Sequence, residues 1–321
     1  MHEAHGCEPR AWLGSVGAAC DDRSIMLPTH ALLSWYADNV RDLPWRDPAT
    51  SPWGVLVSEV MLQQTPVVRV VPVYQRWIVR WPDPGSLAAD PAAAAVREWG
   101  RLGYPRRALR LHDAAVHCVE RHHGRLPREL ADLRALPGVG EYTAAAVAAF
   151  AFGQRQAVLD TNVRRVHARA LGGVAFEPAG GTTAAERSRA LTLLPADEHD
   201  AARLSIAVME LGALVCTARA PDCGSCPISN DCAWRRLGRP EWDGPPRRAQ
   251  TYAGTDRQCR GRLLSVLREA PGPVPASALA QVWDEAQQRE RALDGLVADG
   301  LVEPLSRGRY SLPGDRRGSR R

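Results

Sequence analysis

Apolar side chains recur at helical rather than strand spacing along most of this chain. In THALLSWYADNV, residues 29–40, Leu32, Leu33, Tyr36 and Val40 fall on one stripe, as an amphipathic helix requires. Asp90 and Pro91 open a helix over PAAAAVREW as cap and first-turn proline. Further helices are expected at 105–123, closed by Gly124, through PRELADLRAL, and over EYTAAAVAAFAF as far as Gly153. Three more fit 162–171, 183–194 and 199–214. No alternating strand pattern occurs before residue 300, and no internal repeat is present. From about residue 256 the pattern restarts with the helices RQCRGRLLSVLREA, ASALAQVW and QQRERALDGLVAD. Gly300 then precedes two short strands, LVEPL and RYSLP, joined around Arg307 and Gly308. The expectation is an all-α body followed by a small winged-helix-like module.

Composition narrows the class. A chain of 321 residues accommodates two domains and an appendage, and 45% apolar with 24% charged residues is the balance of a soluble globular protein. No run approaches the roughly 18 apolar residues of a membrane span. Residues 1–25 lack a basic start and a continuous apolar stretch, so they read as a disordered extension, with Met26 as an alternative start. The expected compartment is the reducing cytoplasm. Net charge is +5, with arginines gathered in a Pro/Arg-rich linker, 235–255, and a basic tail, 314–321. That distribution suits phosphate contact along one face, although two solvated basic segments would carry the same charge. All 41 basic residues are arginine, so no lysine amine exists to act as a Schiff-base nucleophile.

Four stretches carry candidate chemistry. Glu59, in WGVLVSEVMLQQTPVV, lies among Val57, Val60, Met61 and Leu62. Buried there, a carboxyl favours its neutral form and suits general acid work; on the helix's outer face it would be an ordinary solvated glutamate. Asp160, in AVLDTNVRRVHARAL, sits where an apolar run meets a helix, which is the place of an N-cap. An ionised Asp160 partnering Glu59 would reproduce the logic of glycosidic cleavage through an oxocarbenium-like state. ALPGVGEYTAAAVAAF places a Pro-Gly-apolar-Gly turn at a helix N-terminus, which is either a phosphate seat or a plain tight turn. Cys216, Cys223, Cys226 and Cys232, spaced C-x6-C-x2-C-x5-C, can share one metal centre, and spacing alone fits zinc as well as iron–sulfur.

Together SEVMLQQT, RLGY, LPGVG, LDTNV and the cysteine spacing resemble the A/G-specific adenine DNA glycosylases, in order, over about residues 28–234. These belong to the helix-hairpin-helix glycosylase superfamily. The resemblance implies one 4Fe–4S cluster on the four cysteines. It implies two lobes, a helical barrel of 50–152 and a cluster domain of 26–49 with 153–234, with Glu59 and Asp160 on opposite sides of a cleft. Glu59 then protonates adenine at N7 and Asp160 stabilises the sugar cation, assisted by Tyr142 and Asn162. Gln64 and Tyr104 match residues that wedge into the duplex, as a base must leave the stack before its glycosidic bond is reachable. Gly138, Val139 and Gly140 match the hairpin that grips backbone phosphate, and Arg46 a residue lining the adenine pocket.

The implied substrate is double-stranded DNA with adenine opposite 8-oxoguanine or guanine, acted on by a monomer. Position 142, tyrosine here, is lysine in the strand-cutting endonuclease III branch, so little lyase activity is expected. Two departures stand out. The family's larger pyrophosphohydrolase-type C-terminal domain is replaced by the short module, and Ser205 and Ile206 stand where a polar pair usually lies near the adenine pocket. Of the other cysteines, Cys118 reads as helix core, and Cys7, Cys20 and Cys259 as surface or tail. The rival reading is a non-catalytic DNA-binding redox sensor, which has no use for a carboxylate at position 59.

Overall fold

The computed structural model describes residues 27–244 and 252–315. The linker centre, the basic C-terminal tail, the N-terminal extension and Cys7 and Cys20 lie outside the described residues. The chain divides into two compact units. One contains the described residues up to Asp42 and those from Ala148 to the linker; the other contains Leu43–Val147 and the residues after the linker.

In the first unit α1 (Thr29–Asn39), α9 (Thr161–Ala170) and α11 (Glu198–Leu214) pack around Leu32, Val163, Val166, Leu204, Val208 and Leu211. α10 (Ala184–Thr192) and the short α12 (Ala233–Arg236) complete it. The approach of α11 to α9 is close enough to demand a glycine: a Cβ on Gly212 would lie 2.7 Å from the Asn162 Cβ. Glu210 of α11 is wholly buried, and Arg41, just past α1, meets it with two guanidinium hydrogen bonds of 2.7 Å and a backbone N–H at 3.0 Å.

The second unit opens with the turn Pro44–Arg46 and the helices α2 (Pro52–Leu62), α3 (Val67–Arg80), α4 (Pro84–Ala89), α5 (Ala92–Trp99), α6 (Arg106–Arg121), α7 (Leu130–Ala135) and α8 (Glu141–Phe152), the last running across the division between units. Helix α2 is buried on every side from Trp53 to Met61, as a continuous apolar helix must be. Trp77 stacks edge-on against Trp81 and Trp99, with centroids 4.6 and 5.8 Å away. The cap of α5 differs from expectation by one residue. Pro91 is its N-cap, while Asp90 closes α4 and accepts the indole N–H of Trp81 at 3.0 Å.

The C-terminal module contains α13 (Asp256–Glu269), α14 (Ala276–Ala280) and α15 (Ala286–Ala298), with a three-stranded antiparallel sheet ordered β1-β3-β2. Strands β2 (Glu303–Leu305) and β3 (Arg309–Ser311) form the expected hairpin. The third strand, β1 (Val274–Pro275), was not legible in the pattern. Two residues cannot show alternation, and proline is tolerated there because the strand is an edge. Helix, strand, helix, helix, hairpin is the winged-helix order. Cys259 corrects the sequence reading: it is fully buried in this module, on the face α13 turns to α15. The module docks on α5 and α6. Ala93 N–H donates to the Pro313 carbonyl at 2.9 Å, Arg97 reaches Asp315 and the Arg268 carbonyl, and Arg106 pairs with Asp299 at 3.1 Å.

Replacing Arg41 with alanine strips both guanidinium hydrogen bonds from a carboxylate that has no access to water. We expect Arg41→Ala to lower the unfolding free energy by about 3 kcal/mol in urea denaturation, and a change below about 0.5 kcal/mol would show that the pair is not a structural tie.

Candidate active site, cluster loop and DNA-binding elements

Glu59 is buried at 7% exposure, which removes the solvated-face reading of this residue. The Tyr142 hydroxyl, from the first turn of α8, donates to its Oε2 at 3.1 Å. Helix α2 supplies this position because its other side chains are apolar or small, leaving one carboxyl in a desolvated setting. Tyr142 thus stands where an acid can be oriented, and Thr143 beside it accepts from the Gln63 amide at 3.3 Å.

Asp160 is the N-cap of α9, the place its sequence context offered. Its Oδ1 accepts the Val163 N–H and its Oδ2 accepts the Asn162 Nδ2, both at 2.7 Å. Burial pushes this carboxyl above the ordinary aspartate range. The two hydrogen bonds and the charge of Arg165 oppose the rise, because each favours the ionised form. The result is a carboxyl held in place yet poorly hydrated.

The same helix clamps the cysteine loop. Arg165 donates to the Cys216 carbonyl at 2.8 Å, the Gly212 carbonyl at 2.7 Å and Asn162 Oδ1 at 2.7 Å. One turn on, Arg169 reaches the carbonyls of Ala175, Thr217 and Ala218 and the Cys216 sulfur at 3.3 Å, with its guanidinium over the Trp234 ring. A continuous path of polar contacts therefore runs from Asp160 through Asn162 and Arg165 to the first cysteine. Cys216, Cys223, Cys226 and Cys232 line one small cavity. Burial pushes the Cys226 thiol up to about 11.

Gln64 and Tyr104 are exposed and adopt left-handed backbone conformations, φ 52° and 46°, which non-glycine side chains resist. Both segments are held by one buried residue, Arg107 of α6. Its guanidinium donates to the carbonyls of Val60, Met61 and Gln63 at 2.7, 3.1 and 2.7 Å, and to the Gly103 carbonyl and the Thr65 hydroxyl at 3.1 and 3.0 Å. Arg107 thus satisfies the orphan carbonyls at the end of α2. Burial lowers its pKa to about 10, which still leaves it charged.

In the hairpin between α7 and α8, Gly138 takes φ 79°, and a Cβ there would meet the Arg110 Cβ at 2.6 Å, so only glycine fits. Val139 is buried and anchors the turn, while Gly140 leads directly into α8. Arg46 is half-buried in the turn before α2. Ser205 is buried, and its hydroxyl donates back to the Ala201 carbonyl at 3.0 Å. The arginines at 107, 165 and 169 were missed in the sequence because arginine ordinarily signals surface. The signal available for Arg165 and Arg169 was their i, i+4 spacing behind Asp160; Arg107 offered none.

An all-helical core, a helix-hairpin-helix turn, a buried glutamate on α2 and a four-cysteine loop point to a base-excision DNA glycosylase. The family model for HhH-GPD superfamily base excision DNA repair proteins matches residues 57–182, and that for the iron-sulfur binding domain of endonuclease III matches 216–232. An adenine DNA glycosylase of Mycobacterium tuberculosis (strain CDC 1551 / Oshkosh) is 52% identical over 297 residues, which cover 91% of this chain and 97% of that protein. The chain belongs to the adenine DNA glycosylase family, and it carries a 4Fe–4S cluster. Among solved structures, a thermostable thymine-DNA glycosylase superposes with a TM-score of 0.59 at 28% identity, covering 65% of this chain and 95% of that one. A non-covalent endonuclease III–DNA complex gives 0.55 at 23% identity, covering 67% of this chain and 100% of that one, a likeness of fold. The mycobacterial alignment extends over nearly all of that relative, so the short C-terminal module is not peculiar to this chain.

Arg107→Met keeps the stem of the side chain and removes every carbonyl contact. We expect about 2–4 kcal/mol of destabilisation and, at temperatures where the variant remains folded, weaker binding to mispaired duplex in fluorescence anisotropy. Unchanged stability and affinity would contradict the role given to Arg107.

Proposed function

We propose that the protein removes adenine from double-stranded DNA where it is mispaired with 8-oxoguanine or guanine, leaving an abasic site. It acts as a monomer in the cytoplasm, on the nucleoid. The observation that carries this reading is the buried Glu59 carboxyl oriented by Tyr142. Adenine is a poor leaving group as an anion. A proton from Glu59 to N7 lets the glycosidic electrons depart into a neutral base. Charge then develops on the sugar, where the Asp160 carboxylate stabilises it, Asn162 keeping that side chain oriented. Water completes the hydrolysis at C1′. Gln64 and Tyr104 wedge the duplex, Gly138, Val139 and Gly140 seat a backbone phosphate at the start of α8, and Arg46 lines the base pocket. Cys216, Cys223, Cys226 and Cys232 hold the 4Fe–4S cluster, whose part here is to tie the loop that Arg165 and Arg169 grip. Since position 142 is tyrosine and the chain has no lysine, no side-chain amine can form the Schiff base that strand cleavage requires.

Single-turnover assays on adenine opposite 8-oxoguanine test the acid. Glu59→Gln is expected to slow adenine release by roughly 10²–10⁴-fold while mispaired duplex still binds; release at the wild-type rate would refute the assignment. Borohydride should trap no covalent DNA adduct, and strand breaks should form only after alkali.

The pH profile tests Asp160. Its ionised form is the active one and burial raises its pKa, so the rate must fall as pH drops through a value above the ordinary aspartate figure of about 3.9. Removing the Asn162 donor withdraws support from the charged form, so Asn162→Ala should move that acid limb to still higher pH. An acid limb at or below the ordinary value, or one unmoved by Asn162→Ala, would contradict the role.

A further inference from the structure

A groove of about 1000 Å³ lies within the second unit, between the 100–106 loop and helix α13 of the C-terminal module. Seven arginines line it against a single carboxylate, Asp299, which Arg106 and Arg260 already engage. Arg101 and Arg257 are exposed along its wall. Arg268, deeper in, has an Nε with no hydrogen-bond partner among the described residues, and burial together with Arg101 pulls its pKa down to about 10. Such crowding of like charge is unfavourable unless an anion enters. The groove also holds the strained pair Gln64 and Tyr104. Two of the exposed aromatic rings of the described chain, Tyr104 at 48% and Tyr252 at 49%, open onto it. Cationic walls with accessible aromatic faces are what a sugar–phosphate strand with unstacked bases requires, whereas an acidic peptide would have no use for the rings.

We propose that this groove is a nucleic-acid seat: it takes the phosphodiester backbone beside the Gln64–Tyr104 wedge, with Tyr104 and Tyr252 stacking on bases displaced from the duplex. The C-terminal module is then part of the DNA grip rather than an appendage, and the loop that carries Tyr104 is shared between wedge and groove. The inference rests on the DNA substrate of the glycosylase reading and adds a second contact surface to it. It also gives the module a reason to dock on α5 and α6 through Arg97, Arg106 and Asp315, since the groove exists only while that docking holds.

The test is binding by the full chain, in a Glu59→Gln background so that adenine is retained, to a labelled duplex carrying adenine opposite 8-oxoguanine. In Arg101→Gln/Arg257→Gln, two exposed charges become neutral without loss of bulk. The dissociation constant should rise roughly tenfold at physiological salt, and the plot of log affinity against log salt should become shallower by about 2. Arg101→Gln alone should flatten it by about 1, which keeps the test open if the double variant melts early. Arg309→Gln, on the hairpin outside the groove, serves as comparison and should leave the slope unchanged. An unchanged affinity and slope in both groove variants overturns the proposal, as does a loss confined to Arg309→Gln, which would make the wing the contact. Failure of the wild type to release adenine would instead sink the glycosylase reading, so the two can be told apart.

Discussion

Buried guanidinium groups donating to loop carbonyls are the interaction on which this structure depends. An irregular segment packed inside a protein leaves backbone oxygens without partners, and each orphan costs on the order of 1–3 kcal/mol. Arginine meets several of them at once, because its planar fork presents five donors with fixed directions. Arg107 does so at the end of α2, Arg165 and Arg169 at the cysteine loop, and Arg155 at the carbonyls of Leu191, Leu194 and Pro195. In a chain without lysine, the cation best suited to internal stapling is also the one available for the phosphate contacts proposed above.

The structural consequence is rigidity around the residues proposed to carry the chemistry. Asp160 is fixed by its own cap geometry and by Asn162, which Arg165 ties to the cluster loop. The cysteine loop and the Asp160 carboxylate are thereby tied through one guanidinium. On the other unit, Arg107 holds Gln64 and Tyr104 in backbone conformations that cost free energy, strain tolerated because the surrounding hydrogen bonds over-determine the loops. If these residues are the proposed wedge, rigidity before contact leaves less ordering to be done on binding.

Much of this was legible in the sequence, for identifiable reasons. Helical periodicity located most helices to within a few residues, although α3, α4 and α12 were not among them, and the run around Glu59 was apolar on all sides because the helix is buried on all sides. The cysteine spacing, the hairpin turn and the helix cap at Asp160 are local patterns, and local patterns survive in one dimension. What did not survive was tertiary. Asp90 looks like a cap but serves Trp81, Cys259 looks like a surface thiol but fills a core, and β1 exists only because β3 pairs with it. The arginines of α9 drew no reading in the sequence, and only the fold shows that Arg164, Arg165 and Arg169 turn inward. The groove was invisible for the same reason, its walls coming from segments some 150 residues apart, such as Arg101 and Arg257.

The most direct test of this account is conservative replacement of a single staple. Arg165→Lys keeps the charge, but one ammonium cannot reach the Cys216 and Gly212 carbonyls and Asn162 at once. Single-turnover adenine release by this variant, measured alongside its iron content, should fall by roughly an order of magnitude or more, the loss of about 1.4 kcal/mol of transition-state stabilisation. Release at the wild-type rate with full iron content would show that the arginine clamp does not position Asp160, and the account would lose its foundation.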